Sequence, residues 1–492
     1  MESNANLYDI PYKTYDDINT EEISLTSLER KIFSFFLSHN PSKSIFRVAG
    51  GWVRDKLLHR PSDDIDITID NITGREYTDL LLKNSAEISV IHNSNAKSSH
   101  LQTSTIVLFD KQIDIVNLRK EIYKKNSRVP EVSMGTVEED VYRRDITINC
   151  LYYNINTGKI EDFTKKGIDD LKNGLIRMPK KPFESFNEDP LRMLRVIRFT
   201  TRFCFKIDKE IEECISDSSL IENFVNVLSN ERIEKELTAM MEGENAHCSV
   251  YLLYKFNLLK HVMNFSYEEK EKANEDKDYV QSVNMILMHN KIKEMFDISE
   301  IENKIINYAL ITAAFRKYTT KKKKEIITGS KIILSQVLKL PNSEINEIIF
   351  LISQIDKIKN SISSNGEYQR LDIAIILRGI KRKYLNAIFL LCICDEYTST
   401  KSSIISSIDE IELSKIHSKY QTLMTFIHAQ KLESISDLKP LIDGKTLKTT
   451  LNIKEGKTLG LLLDELIKYQ IMNDAVTKES AIEYLHTKIN KK

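Results

Sequence analysis

Two adjacent glycines, Gly50 and Gly51, separate the apolar, strand-like run Phe46 to Ala49 from Trp52 to Leu58, which reads as the start of a helix. With no side chain in the turn, backbone N–H groups and the helix N-terminus can close on a phosphate. The next run is Asp64, Ile65, Asp66, Ile67, Thr68 and Ile69. On a strand this alternation puts Asp64 and Asp66 on one face and sends Ile65, Ile67 and Ile69 into a core. Two carboxylates on one strand face can chelate Mg²⁺, so turn and acids together point to nucleotidyl transfer from a metal-bound triphosphate. Taken singly, a Gly-Gly pair is usually only a turn and an Asp-x-Asp only a solvated strand face. Their order, with the cation Arg54 between them, carries the reading.

A second alternating run, Ile113 to Val116, offers Asp114 as a third carboxylate for two dications. Arg119 and Glu121 then begin a polar stretch that passes Lys124, Asn126 and Arg128 and ends at Pro130. Beyond it, Arg143, Arg144 and Asp145 lead to Asn149. An Arg/Asp pair suits a nucleotide, since a carboxylate accepts from a ribose hydroxyl while a guanidinium engages phosphate. Downstream, Glu188 and Asp189 precede Pro190, which reads as the first residue of a helix capped by Asp189. At about 100° per residue, Arg192, Arg195, Arg198 and Arg202 fall within roughly 120° of arc, with Met193, Leu194, Val196 and Ile197 opposite.

The combination of Gly50, Gly51, Val53, Arg54 and Asp55 with the Asp64/Asp66 pair closely resembles the nucleotidyltransferase superfamily, in particular the class II tRNA nucleotidyltransferases, the CCA-adding enzymes, with their bacterial poly(A) polymerase relatives. The resemblance implies an Mg²⁺ site at Asp64, Asp66 and Asp114, and nucleotide binding at Gly50, Gly51, Arg54, Arg144, Asp145, Asn149, Glu188, Asp189, Arg192 and Arg195. Arg143 to Asn149 matches the family's Arg-Arg-Asp-x-x-x-Asn motif, and Glu188 to Arg192 its Glu-Asp-x-x-Arg motif. In the latter, Asp and Arg read the Watson–Crick edges of CTP and ATP. The chemistry is consistent, because a carboxylate accepts from the exocyclic amine that cytosine and adenine share, whereas guanine and uracil present a carbonyl there. In this reading Glu188 orients Arg192, and Arg195 reaches the triphosphate. Residues 119 to 130 correspond to a loop associated with switching from C to A addition. Asp162 to Leu171 resembles the connection from head to neck, and Leu228 to Leu237, with Glu231 and Glu236, the last motif, which holds neck helices in register. Lys97 to Thr103 resembles the eukaryotic form, except that Gln102 stands where Glu is usual.

Strand-like segments stop near residue 178 and helical patterns follow, giving an α+β fold with a mixed-sheet head and an all-α remainder. The expected divisions are an extension over 1–29, a catalytic head over 30–178, a neck for base recognition over 179–265, a body over 266–410 and a tail over 411–492. Leu441 to Lys445 and Leu451 to Leu466 resemble the closing segment of class II enzymes, which docks the upper part of tRNA. Lys plus Arg and Asp plus Glu both number 71, so RNA contacts must come from local patches. Candidates are Arg316, Lys317 and Tyr318 with Lys321 to Lys324, and Arg378 with Lys381 to Tyr384.

Six cysteines without a Cys-x-x-Cys indicate neither zinc nor a disulfide framework. The longest clearly apolar run, Ala387 to Cys394, is far short of the ~20 residues needed to span a bilayer, so no membrane association is expected. Acids at Asp9, Asp16, Asp17, Glu21 and Glu22 argue against a secretory or transit leader, placing the chain in the cytoplasm or nucleus, with an organellar pool from an alternative start left open. The function expected is addition of CCA to the 3′ end of tRNA from CTP and ATP, with tRNA as partner and no obligate protein partner. Alternatives are a poly(A) polymerase, the A-adding member of a divided system, or an RNA-binding protein with an inactive head. An appended HD phosphohydrolase is excluded, because none of the ten histidines is followed by Asp.

Overall fold

A computed structural model describes residues 6–40, 43–62, 64–84, 89–91, 103–122, 131–265, 275–322, 325–453, 456–473 and 475–489. The chain divides into two compact units, one formed by Asp9–Val262 and the other by Met263 onward together with the residues up to Tyr8. Residues 97–102 of the eukaryotic-type motif and 123–130 of the expected switching loop lie outside the described residues.

The first unit is built on seven strands: β1 (Phe46–Ala49), β2 (Asp66–Ile69), β3 (Ser89–Ile91), β4 (Ser104–Leu108), β5 (Lys111–Asn117), β8 (Leu151–Asn154) and β9 (Lys159–Asp162). Their order is β3-β4-β5-β2-β1-β8-β9, with β2 and β5 parallel and the other neighbours antiparallel, so the sheet is mixed as expected. A separate ribbon, β6 (Arg119–Ile122) with β7 (Glu131–Met134), flanks it. The alternation in the sequence is partly realised: Ile65, Ile67 and Ile69 are buried and Asp66 is half-buried, but Thr68, on the face of Asp66, is buried too. β1 is buried along its whole length, as a central strand covered on both faces must be.

Helices α1 (Ser27–Ser38), α2 (Gly51–Leu57), α3 (Gly74–Asn84), α4 (Val137–Tyr142) and α5 (Gly167–Lys172) accompany the sheet. Both α1 and α4 start on a capping box, Thr26 with Glu29 and Thr136 with Glu139. The neck continues through α6 (Pro182–Glu188), α7 (Leu191–Phe203), α8 (Lys209–Cys214), α9 (Ser218–Val227) and α10 (Asn230–Glu242). The expected start of α7 shifts by one residue: Pro190 takes the N-cap position, and Asp189, the last residue of the preceding turn, still accepts the Leu191 N–H at 3.2 Å.

Strands do not end near residue 178. β11 (Lys206–Ile207) pairs in parallel with β10 (Leu175–Ile176), and β12 (Thr319–Lys322) forms a hairpin with β13 (Glu325–Thr328) in the otherwise helical second unit. The first pair is too short to carry a period, and in the second the lysine run suppresses the alternation of apolar residues. The helix Arg382–Thr398 forms the centre of that unit, with Ala387 to Cys394 wholly buried. In the first Lys/Arg patch, two members pair within the chain. Arg316 bridges Asp356 and Asp395, at 2.9 Å each, and Lys317 lies 2.6 Å from Asp278, so internal carboxylates hold both. At the C-terminus, Asp443 caps the helix Gly444–Thr450, and Leu447, Leu462, Leu466, Ala481 and Leu485 form a small core.

Candidate nucleotide site

A cavity of about 1170 Å³ opens in the first unit. Its walls come from the Gly51 turn, β2, the β6–β7 ribbon, the segment Arg143–Asn149, the α6–α7 junction and the start of α10. Of the expected residues, Gly51, Arg54, Asp66, Arg144, Asp145, Asn149, Glu188, Asp189, Arg192 and Arg195 all line it.

The carboxylates meet through strand register. Asp66 on β2 stands opposite Asp114 on the parallel strand β5. The Thr105 hydroxyl donates to the Asp114 carboxylate at 2.6 Å, and Asp64, exposed, lies just before β2. Burial first, then repulsion from Asp114, pushes the Asp66 carboxyl above its ordinary range, against the pull of Arg144. Acids crowded in this way suit a hard dication, which would relieve their repulsion. Among the described residues no three His, Cys, Asp or Glu side chains converge on one point. Mg²⁺ does not require such a cage, since it keeps waters and takes substrate phosphate oxygens beside one or two carboxylates.

The glycine turn is shaped by what closes on it. Gly50 has φ +64°, and a Cβ there would sit 2.7 Å from Arg144 Nη1. Arg144 is set by Asp140: its Nε and Nη2 donate to Asp140 Oδ2 at 3.0 and 2.9 Å, and its Nη1 donates to the Asn149 carbonyl at 3.1 Å. Asp140 also accepts from Arg143, from the Tyr152 hydroxyl and from the Arg119 backbone N–H, with no exposed surface of its own. Burial opposes its charge, but Arg144, Arg143 and these hydrogen bonds win and hold its carboxyl well below the usual range.

Asp145 is likewise buried and engaged, accepting from Asn149 Nδ2 at 3.0 Å, from the Ile146 N–H at 2.9 Å and from Arg195 at 2.7 Å. Despite burial, Arg195 keeps it ionised. Arg54 reaches the cavity wall but is committed to Asp55, at 2.9 Å, and to Asn149 Oδ1, with its guanidinium 4.7 Å above the Phe203 ring. A buried guanidinium needs such partners, and one of them is the side chain of Asn149.

On α7, Arg192 is buried: its Nη1 donates to Ser185 Oγ at 2.6 Å and to Glu188 at 3.3 Å, and its Nη2 to the Arg143 carbonyl. Glu188 thus contacts the Arg192 guanidinium, beside the shorter bond to Ser185. Asp189 lies 2.8 Å from Arg232 of α10. Arg195 and Arg198 both pair with Glu236, at 3.3 and 2.6 Å, and Phe199 stacks beneath them, which explains an aromatic ring among the arginines.

Sequence reasoning gave no role to Asp140 and assigned Glu236 and Arg232 only to helix register. Asp140 had a signal, its i, i+4 spacing to Arg144. Arg232 and Glu236 had none, because their partners lie elsewhere in the chain, in the turn before α7 and on α7.

Residues 46–177 match the model of the poly A polymerase head domain. Over nearly its whole length the chain is similar to the tRNA nucleotidyltransferase cca2 of Schizosaccharomyces pombe, 32% identical with 96% of this chain and 98% of that one covered. It is also similar to the mitochondrial CCA tRNA nucleotidyltransferase of Saccharomyces cerevisiae, 30% identical over 95% and 94% of the two chains. In fold it is similar to the Thermotoga maritima CCA-adding enzyme solved in complex with tRNA, with a TM-score of 0.63 at 19% identity over 94% and 96% of the chains.

Proposed function

The chain belongs to the class II CCA tRNA nucleotidyltransferases, in their eukaryotic-like form, and from that premise we propose that its cavity adds CMP, CMP and then AMP to the 3′ end of tRNA from CTP and ATP, releasing pyrophosphate. The observation that carries this reading is the register pairing of Asp66 with Asp114 at a cavity whose lining also holds Asp189 and Arg192. Asp66, with Asp114 beside it in register, and the residues proposed to read the base thus border one space large enough for a nucleotide and an RNA end.

Asp64, Asp66 and Asp114 would hold Mg²⁺, which supplies a lowered pKa at the attacking ribose 3′-hydroxyl and charge neutralisation at the leaving pyrophosphate. The Gly50–Gly51 turn leaves room for the triphosphate. Arg144, fixed by Asp140, presents a guanidinium to it, and Asp145 with Asn149 forms the ribose side of the pocket. Asp189 accepts from the exocyclic amine of cytosine or adenine, and Arg192 donates to the ring edge, aligned by Glu188. Arg195 reaches toward the triphosphate from its pair with Asp145.

We assign residues 30–178 to the catalytic head, 179–265 to the neck, 266–410 to the body, and 411–492 to a tail that docks the upper part of tRNA by shape. Among the described residues no helix is long and apolar enough to cross a membrane. The mitochondrial name of the Saccharomyces cerevisiae relative supports an organellar pool beside a cytoplasmic or nuclear one.

The test is an incorporation assay with Mg²⁺ and a tRNA transcript lacking its 3′ CCA. Two C additions with CTP alone, and one terminal A once ATP is present, are expected. Long A tails, or A addition only to tRNA already ending in CC, would move the assignment to a poly(A) polymerase or to the A-adding member of a divided system.

A further inference from the structure

Most of the arginines around the cavity are already engaged by carboxylates. Those of the α7 stripe reach Glu188, Asp145, Glu236 or Asp55, and Arg143 and Arg144 share Asp140. Arg119, the first residue of β6, is different. It lines the same cavity, yet its Nε is buried and donates to no protein atom. Its positive charge is close enough to be felt at Asp66. A buried guanidinium N–H without an acceptor destabilises a folded chain, so its place in a cavity wall calls for an acceptor brought by a ligand.

The base of this side chain is rigid for reasons that do not involve the side chain itself. The Arg119 N–H donates to Asp140 Oδ1 at 3.0 Å, and Gly135 packs so closely on the ribbon that a Cβ there would lie 2.8 Å from the Arg119 carbonyl carbon. The Asp140 oxygens are occupied by Arg143, Arg144 and Tyr152, which leaves them little capacity for the Arg119 guanidinium.

We propose that Arg119 is a further phosphate-binding residue of this site, its buried Nε donating to a phosphate oxygen beside Asp66. The inference rests on the nucleotidyl-transfer reading of the cavity. Two phosphates could lie there, the triphosphate of the incoming nucleotide and the last phosphodiester of the RNA, and they differ in what a variant would lose.

Full-length Arg119→Gln and Arg119→Lys are compared with wild type for affinity toward inorganic tripolyphosphate by calorimetry with Mg²⁺, for affinity toward tRNA lacking CCA, and for CTP and ATP kinetics. Loss of one charge-assisted hydrogen bond weakens its ligand by about tenfold. If the triphosphate is the partner, Arg119→Gln weakens tripolyphosphate and raises both nucleotide KM values by that factor while kcat and tRNA affinity hold; if the RNA phosphodiester is, tRNA affinity falls and tripolyphosphate is unaffected. Arg119→Lys recovers part of either loss, which a packing role would not give. Unchanged affinity in both arms overturns the proposal. Should Arg119→Gln melt below wild type, Arg119→Lys with its own melting curve gives the same reading: wild-type affinities in both arms overturn the proposal, and a partial loss supports it. Tripolyphosphate binding that depends on Arg119, in a protein that adds no nucleotide, would sink the proposed activity and leave this inference standing.

Discussion

Arg144 closes over Gly50 because Asp140 holds it there: its Nε and Nη2 lie 3.0 and 2.9 Å from Asp140 Oδ2, and its Nη1 fills the space that a Gly50 Cβ would need, at 2.7 Å. A carboxylate with no exposed surface thereby sets the wall of the nucleotide site from behind.

Asp140→Asn should lower stability by about 3 kcal/mol or more, since it leaves two guanidiniums facing a neutral amide. Urea unfolding at neutral pH reads this directly, and a midpoint equal to that of wild type would refute the role.

The same substitution carries a pH signature. The folded-state pKa of Asp140 is depressed by Arg144 and Arg143 against the cost of burial. Its contribution is therefore fully present above the unfolded-state carboxylate pKa of about 3.9, and it is lost as pH falls below that toward the folded value. The stability gap between wild type and Asp140→Asn should be constant from pH 7 to about pH 5 and narrow below about pH 4. A gap that widens with acid would contradict the assignment.

Gly50→Ala combines left-handed backbone strain with a clash against Arg144. Displacing that guanidinium by about 1 Å should cut kcat/KM by about 10²-fold while most of the stability remains. Wild-type kinetics would show that the turn does not need glycine.

Removing either member of the register pair, with Asp66→Ala or Asp114→Ala, should lower CMP and AMP incorporation by more than about 10³-fold, because several kcal/mol of transition-state charge stabilisation depend on the metal site. Binding of tRNA should stay within about threefold, since neither residue is a cation that meets phosphate. Retained turnover would sink the metal assignment.

Asp189→Asn should relax base choice more than it slows chemistry, lowering the preference for CTP over UTP by about tenfold, as expected for one hydrogen-bonded base contact. Competition assays with UTP and GTP measure it. An unchanged preference would leave Asp189 only its bonds to Arg232 and the Leu191 N–H.

What the sequence by itself determined is local and periodic. The Gly50–Gly51 turn, the alternation that buries Ile65, Ile67 and Ile69, the strand bearing Asp114 and the arginine face of α7 follow from side-chain spacing along one element, and the motifs they form were enough to mark the family. What only the tertiary structure decided is which of these elements meet. The parallel register that sets Asp66 against Asp114 depends on a crossover between distant strands, and no spacing along the chain encodes it. The partners of the buried charges are of the same kind: Arg195 with Asp145 and Glu236, Asp189 with Arg232, and Arg54 with Asn149 join separate elements. From the sequence alone Arg54 and Arg195 read as nucleotide contacts. Burial forces a charge to find a carboxylate or carbonyl nearby, and packing alone settles which buried N–H groups the protein satisfies and which, like the Arg119 Nε, it leaves for a ligand.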